Sequence, residues 1–204
     1  MRFAHVSDVG AVVIAAGLSS RMGAFKPMLP LGDSTVSRRL VSTLKEAGAD
    51  PIVVVTGYRG GELEEHLKDL GVLFVRNEKY AETQMFDSAC LGFEAIMGKC
   101  RRVFFTPADI PLFTADTLRA LLITDAPVVY PAYKGETGHP VLISADILPQ
   151  IIGYNGGDGL RGAFRRFENE AKQIEVPDVG ITRDADTPEE FRVLESMVEQ
   201  GSAL

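Results

Sequence analysis

The stretch AVVIAAGLSSRMGAFKPMLPLGDSTV, residues 11–36, decides how this chain folds. It opens on a short, unbroken apolar run, Ala11 to Ala15, the pattern of a strand covered on both faces. The next residues are of another kind: Gly17, Ser19, Ser20, Arg21, Gly23 and Lys26. A loop leaving the carboxyl end of a parallel strand lies where open α/β sheets bind ligands. Glycines let the backbone approach an anion, serines add hydroxyl donors, and Arg21 and Lys26 add fixed positive charge. Together these groups can cradle a triphosphate; a mobile surface loop of the same composition is the plain alternative. The spacing fits neither the G-x-G-x-x-G dinucleotide fingerprint nor a phosphate loop ending in G-K-[ST].

Working outward, the same strand-then-helix alternation recurs. Residues 51–56, 72–75, 102–106 and 127–130 read as further buried strands, and 35–48, 60–70, 85–98 and 114–123 carry helical spacing. In 36–48, Val36, Leu40, Val41 and Leu44 fall on one face and Gly48 is placed to end the helix. Strands interleaved with helices imply right-handed crossovers and a mainly parallel sheet. The second half is less regular: a strand within GHPVLIS (138–144), short helices in ADILPQII and LRGAFRRF, a strand in AKQIEV, and a closing helix in TPEEFRVLESMVEQ. Thr187 can cap that last helix, Pro188 suits its first turn, and Glu189 and Glu190 suit its positive end.

The bulk numbers agree with one domain, 1–204 with a core of about 9–199: 204 residues, 46% hydrophobic and 24% charged. No apolar run approaches the roughly 20 residues that span a bilayer, and the opening MRFAHVSDVG lacks the apolar segment of a signal peptide. Two cysteines, Cys90 and Cys100, make no disulfide framework, which points to a reducing cytoplasm. A net charge of −7 argues against a nucleic-acid-coating surface but not against a small anionic ligand, which a few placed cations can neutralise.

One acidic segment follows the fourth strand, at the same sheet edge as the glycine loop, and a second precedes the last helix. RVFFTPADIPLF places Asp109 just beyond a buried strand, where it can supply a hard oxygen to Mg²⁺ or simply form a turn before the next helix. TRDADTPEEF places Asp184 and Asp186 ahead of the last helix, for a metal, an acceptor or structure alone. His139, held between Gly138 and Pro140, can hydrogen-bond an anion or serve packing.

Taken together, AAGLSSRMGAFKPMLPLG (15–32), PADIP (107–111), GHPV (138–141) and DADTPEE (184–190) resemble the MobA-like NTP transferase family, over about residues 9–195. The resemblance implies a three-layer, Rossmann-like α/β sandwich of the nucleotide-diphospho-sugar-transferase type, with a mainly parallel mixed sheet. It implies nucleotide contacts from Ala15, Ala16, Gly17, Ser19, Ser20, Arg21, Lys26, Pro107 and Ala108, and catalytic roles for Arg21, Lys26 and Asp109. Mg²⁺ or Mn²⁺ would be held by Asp109 with Asp186, or with Asp184 in its place. Acceptor contacts would come from Asn77, Ser88, His139, Asp158 and Arg161. In residues 77–92, Asn77, Met85 and Ser88 match the family pattern, but Gln84 stands where glycine is usual and Phe86 and Asp87 intervene. The implied reaction moves a nucleotide from an NTP to the phosphate of molybdopterin, with pyrophosphate released. Ala16, where the guanylyltransferase branch tends to carry glycine, favours CTP over GTP. The alternatives are GTP, another acceptor such as a sugar phosphate or methylerythritol phosphate, or a non-catalytic nucleotide-binding accessory to a molybdenum hydroxylase. A transient contact with such a hydroxylase, and none with nucleic acid or membrane, completes the expectation.

Overall fold

A computed structural model describes residues 6–18 and 22–201. The opening apolar run is β1 (Ser7–Ala15). A 3₁₀ turn at Lys26–Met28 and a hairpin of two short strands, β2 (Pro30–Leu31) and β3 (Ser34–Thr35), lead into α1 (Val36–Glu46). Thr35 caps α1 by accepting from the Arg38 N–H at 3.4 Å, and Gly48 ends it at φ +88°, the left-handed turn that glycine adopts without a Cβ penalty. The alternation continues through β4 (Ile52–Thr56), α2 (Gly60–Leu67), β5 (Leu73–Arg76), α3 (Met85–Ile96), β6 (Cys100–Pro107) and α4 (Ala115–Leu122). The second half holds β7 (Val128–Tyr133), β8 (Glu136–Thr137), β9 (Val141–Ser144), α5 (Leu148–Ile152), α6 (Gly159–Arg165), β10 (Lys172–Glu175) and α7 (Pro188–Glu199).

The main sheet runs β10-β7-β9-β6-β1-β4-β5, with β8 paired to β7. β1 pairs parallel with both β6 and β4, β4 with β5, and β10 with β7; β9 runs antiparallel to β6 and β7. Alternate residues of β1 go to opposite faces, as the two-residue period of a strand requires. Val9, Ala11, Val13 and Ala15 pack with α1, α2 and α4. Val12 and Ile14 pack with α3, α5 and α6 on the other face. Helix, sheet, helix: three layers. Gly92 brings α3 down onto the sheet, since a Cβ there would lie 2.4 Å from Val12 Cγ1. Beside it the buried Phe93 ring stands 5.3 Å from that of Phe105, a contact whose loss in Phe93→Ala costs about 3–5 kcal/mol. α7 closes a third, smaller cluster over the β2–β3 hairpin, built on Leu31, Val36, Leu112, Ala185, Phe191 and Leu194.

One expectation needs correction. The 72–75 run reads as a strand buried on both faces, yet β5 is the sheet's edge, and Leu73 keeps 44% of its surface exposed. A four-residue apolar run carries no sign of whether a neighbour covers it. Among the described residues no helix is long and apolar enough to cross a membrane.

Candidate active site

β1 and β6 are parallel neighbours, so their carboxyl ends emerge side by side. The register pairs Ile14 with Pro107, and the Ala108 N–H donates to Ile14 O at 2.9 Å. That bond holds Pro107, Ala108 and Asp109 against Ala15, Ala16 and Gly17, so the end of the first strand and the acid after the sixth share one edge. Gly57, after β4, packs closely behind this edge: a Cβ on it would stand 2.6 Å from Ala16 O and 2.7 Å from Tyr80 Cβ.

The loop then brings Lys26 back over this edge. Phe25 is buried, edge-on to Tyr58 at 5.8 Å, with the Arg59 guanidinium 5.2 Å above its ring. The 3₁₀ turn that follows aims the Lys26 side chain inward. Lys26 is only 7% exposed, and a buried ammonium must be paired to be tolerated. Its Nζ donates to Asp186 Oδ1 at 2.9 Å and lies 3.6 Å from Asp109 Oδ2. The cation thus bridges two carboxylates 77 residues apart in the chain. Ser19, Ser20 and Arg21 lie outside the described residues.

Asp184 stands beside this pair. Burial pushes its carboxyl above the ordinary range, and the negative charges of Asp109, Asp186 and Glu190 push it further the same way. The capping box of α7 fixes Asp186 from behind: Glu190 Oε2 accepts from the N–H groups of both Asp186 and Thr187 at 2.8 Å, and Thr187 Oγ1 accepts from the Glu190 N–H at 3.3 Å.

A cavity of about 300 Å³ opens at this edge. Its walls include Ala15, Ala16, Gly17, Lys26, Pro107, Ala108, Asp109, Asp186 and Ser88, all named from the sequence, together with Met85 of the matched 77–92 segment, and also Leu18, Tyr80, Thr83 and Gln84, to which the sequence assigns no role. Met85 matches the family pattern of this segment and Gln84 departs from it, and the fold brings both to the wall at the start of α3. At Gln84, where α3 begins, the backbone N–H donates to Asp87 Oδ2 at 2.8 Å.

The other acceptor-side residues stand back from the cavity. Asn77 is buried, with Nδ2 donating to Thr83 Oγ1 at 2.8 Å and Ser88 Oγ at 2.9 Å, while Oδ1 accepts from the Lys79 N–H at 3.0 Å. It shapes the loop that carries Tyr80 and Thr83. His139 Nδ1 lies 3.4 Å from Phe105 O. Burial lowers its basicity, an effect only partly offset by that carbonyl and by Asp109, so the ring is neutral at physiological pH. Asp158 and Arg161 are exposed at the start of α6, and Asp158 pairs with Arg165 at 3.2 Å. α6 packs against the first turn of α3, since a Cβ on Gly159 would sit 3.5 Å from Phe86 Cβ.

The donor set decides what the site can hold. Among the described residues no group of three or more His, Cys, Asp or Glu is arranged as a self-sufficient metal centre. Two facing carboxylates supply hard oxygens, the set that Mg²⁺ or Mn²⁺ uses when phosphate and water complete the shell. The residues therefore fit a divalent ion that shares its coordination with a ligand's phosphates. Neither cysteine is a nucleophile at neutral pH: burial pushes both Cys90 and Cys100 to about 11.

The family model of the MobA-like NTP transferase domain matches residues 11–173. The chain belongs to that family. The MobA-like fold carries the glycine loop, the Asp109 turn and most of the α3 wall within the matched span. The molybdenum cofactor cytidylyltransferase of Escherichia coli (strain K12) is 31% identical over 190 residues, covering 91% of this chain and 95% of that protein. A nucleotidyl transferase from Methanothermobacter thermautotrophicus has a solved structure that superposes with a TM-score of 0.81 at 26% identity, covering 95% of this chain and 99% of that one. Rv0371c from Mycobacterium tuberculosis H37Rv, solved in complex with manganese, shares the fold at a TM-score of 0.78 and 20% identity, over 94% of this chain and all of that one. The protein is thus a nucleotidyltransferase of the MobA-like family, an enzyme with the mixed, mostly parallel sheet of that fold.

Proposed function

We propose that this MobA-like enzyme transfers CMP from CTP to the phosphate of a molybdopterin-type acceptor, with Mg²⁺ or Mn²⁺ as cofactor, in the cytoplasm. The observation that carries the reading is the meeting of Lys26, Asp109 and Asp186 in one cavity beside the Ala15–Gly17 backbone. An oxygen of the acceptor phosphate attacks the α-phosphorus of CTP. The new P–O bond forms as the bond from that phosphorus to the bridging oxygen of the β-phosphate breaks. CMP passes to the acceptor in a diphosphate linkage, and pyrophosphate leaves with the electron pair.

Such transfers need positioning and charge stabilisation more than covalent help from the protein. The Ala16 and Gly17 backbone would seat the nucleotide, and Lys26 would balance the charge that grows on the α-phosphate and leaving group. Asp109 and Asp186 would hold the divalent ion, which when bound draws negative charge off the phosphates. Ser88, Thr83 and Tyr80 would line the acceptor half. The preference for CTP rests on the Ala16 methyl, which would narrow the room beside the base against a purine; Ala16 is buried and backed by Gly57. Its similarity to the E. coli cytidylyltransferase points the same way.

Pyrophosphate release with each of the four NTPs, with and without molybdopterin, tests the reading. CTP with molybdopterin is expected to give turnover well above every other pair. Equal turnover with a sugar phosphate would move the acceptor, and nucleotide binding without any release would make the chain an accessory protein.

A further inference from the structure

The residues 178–186 form a strap that delivers Asp184 and Asp186 to the cavity, and its far end is fastened by a buried carboxylate outside the chemistry. Asp178 is 8% exposed. Its Oδ2 accepts from the Thr114 N–H at 2.9 Å, from Thr114 Oγ1 at 3.0 Å and from Thr117 Oγ1 at 2.5 Å, and its Oδ1 accepts from the Gly180 N–H at 2.9 Å. A buried carboxylate with four donors is held far more firmly than a surface turn. Thr114 and Thr117 belong to the start of α4, the segment reached directly from Asp109 through Pro111 and Leu112. Asp178 therefore ties the strap of one active-site carboxylate to the segment of the other.

Two glycines make the fastening tight. A Cβ on Gly180 would lie 2.2 Å from Leu112 O, and one on Gly138 would lie 2.2 Å from Ile181 O. The His139 N–H donates to that same Ile181 O at 2.9 Å. The strap is thus gripped from the Asp109 side by Asp178 and Gly180, from the β9 side by Gly138 and His139, and at its end by Glu190.

We propose that Asp178 is a positioning residue: it sets the separation between Asp109 and Asp186 across Lys26, and so the geometry of the divalent-ion site, without touching substrate. The proposal rests on the transferase reading above. It gives the Gly138–His139 segment a backbone role in the same device.

The test uses Asp178→Asn, whose amide cannot accept from all four donors, and Thr117→Val, which removes one donor and keeps the fold. Asp178→Asn is expected to lower kcat for pyrophosphate release by about 10–100-fold, the cost typical of removing a partner behind a metal ligand. KM for CTP should change little, because the Ala15–Gly17 floor is not attached to the strap. Thr117→Val should act in the same direction and less strongly. In an Asp186→Asn background, Asp178→Asn should add less than about a twofold loss, since neighbours acting through one group are not additive. A full loss in both backgrounds would overturn the proposal, as would unchanged kcat in folded Asp178→Asn. If the wild-type protein releases no pyrophosphate with any NTP, the transferase reading fails separately, and a Mn²⁺ titration followed by EPR decides the strap. Mn²⁺ binding weakened tenfold or more by Asp178→Asn, or measurably by Thr117→Val, sustains it, and unchanged affinity overturns it.

Discussion

Replacing Lys26 by Met removes a charge while keeping an unbranched side chain of similar length. The ammonium lies 2.9 Å from Asp186 and 3.6 Å from Asp109. At an effective dielectric of about 20, each pair is worth about 5 kcal/mol of gross attraction. Desolvation offsets most of this, and both carboxylates keep 29% of their side-chain surface in contact with water, so they can rehydrate once the lysine is gone. The net loss of stability is therefore expected at about 1–3 kcal/mol, below the cost of breaking a fully buried pair. For a domain of this size that is a fall in Tm of about 2–4 °C per kcal/mol. The rate should suffer more. Losing one preorganised electrostatic contact to the developing charge costs about 2.7–4 kcal/mol, or 10²–10³-fold in single-turnover transfer. Thermal melting and a quench of radiolabelled CTP on the same preparation measure both. A Tm shift of the expected size with a transfer rate within threefold of wild type would show that Lys26 only neutralises the two acids.

Gly57→Ala is expected to push the Ala16 backbone, because the added Cβ would meet Ala16 O at 2.6 Å. Overpacking of this kind costs about 1–3 kcal/mol, and KM for nucleotide should rise more than kcat falls; unchanged KM would detach Gly57 from the nucleotide floor. His139→Gln should flatten the pH dependence of stability. Burial depresses the His139 pKa, so below the unfolded value of about 6.5 the unfolded chain binds the proton that the folded chain resists. The stability held above that pH is lost as pH falls through the depressed folded pKa. Denaturant melts of wild type and variant from pH 7.5 to 5 measure this, and parallel curves would contradict it.

The layers were legible because buried parallel strands and amphipathic helices differ in period: the strand residues Val12 and Val13 and the helix residues Leu40, Val41 and Leu44 announce their own elements. What escaped was whatever depends on neighbours. Leu73 looks as apolar as Val54, and only the strand order puts one at the edge and the other inside. The site divides in the same way. Gly17, Lys26 and Asp109 lie beside strand ends, where chain order alone assigns them to one edge of the sheet. Gln84 and Tyr80 reach the cavity through a loop whose path is set by the buried amide of Asn77. Asp178 carries no signal in the sequence, because the donors that bury it come from Thr114 and Thr117, more than 60 residues away.

Pyrophosphate release by Asp109→Asn, with saturating Mg²⁺, CTP and molybdopterin, probes whether the cationic loop and the acid after β6 act on one bound nucleotide. The substitution keeps the shape and removes the charge. Turnover is expected to fall at least about 100-fold with the fold intact. Turnover within twofold of wild type would mean that the meeting of Lys26 and Asp109 at the sheet edge is architecture and not catalysis.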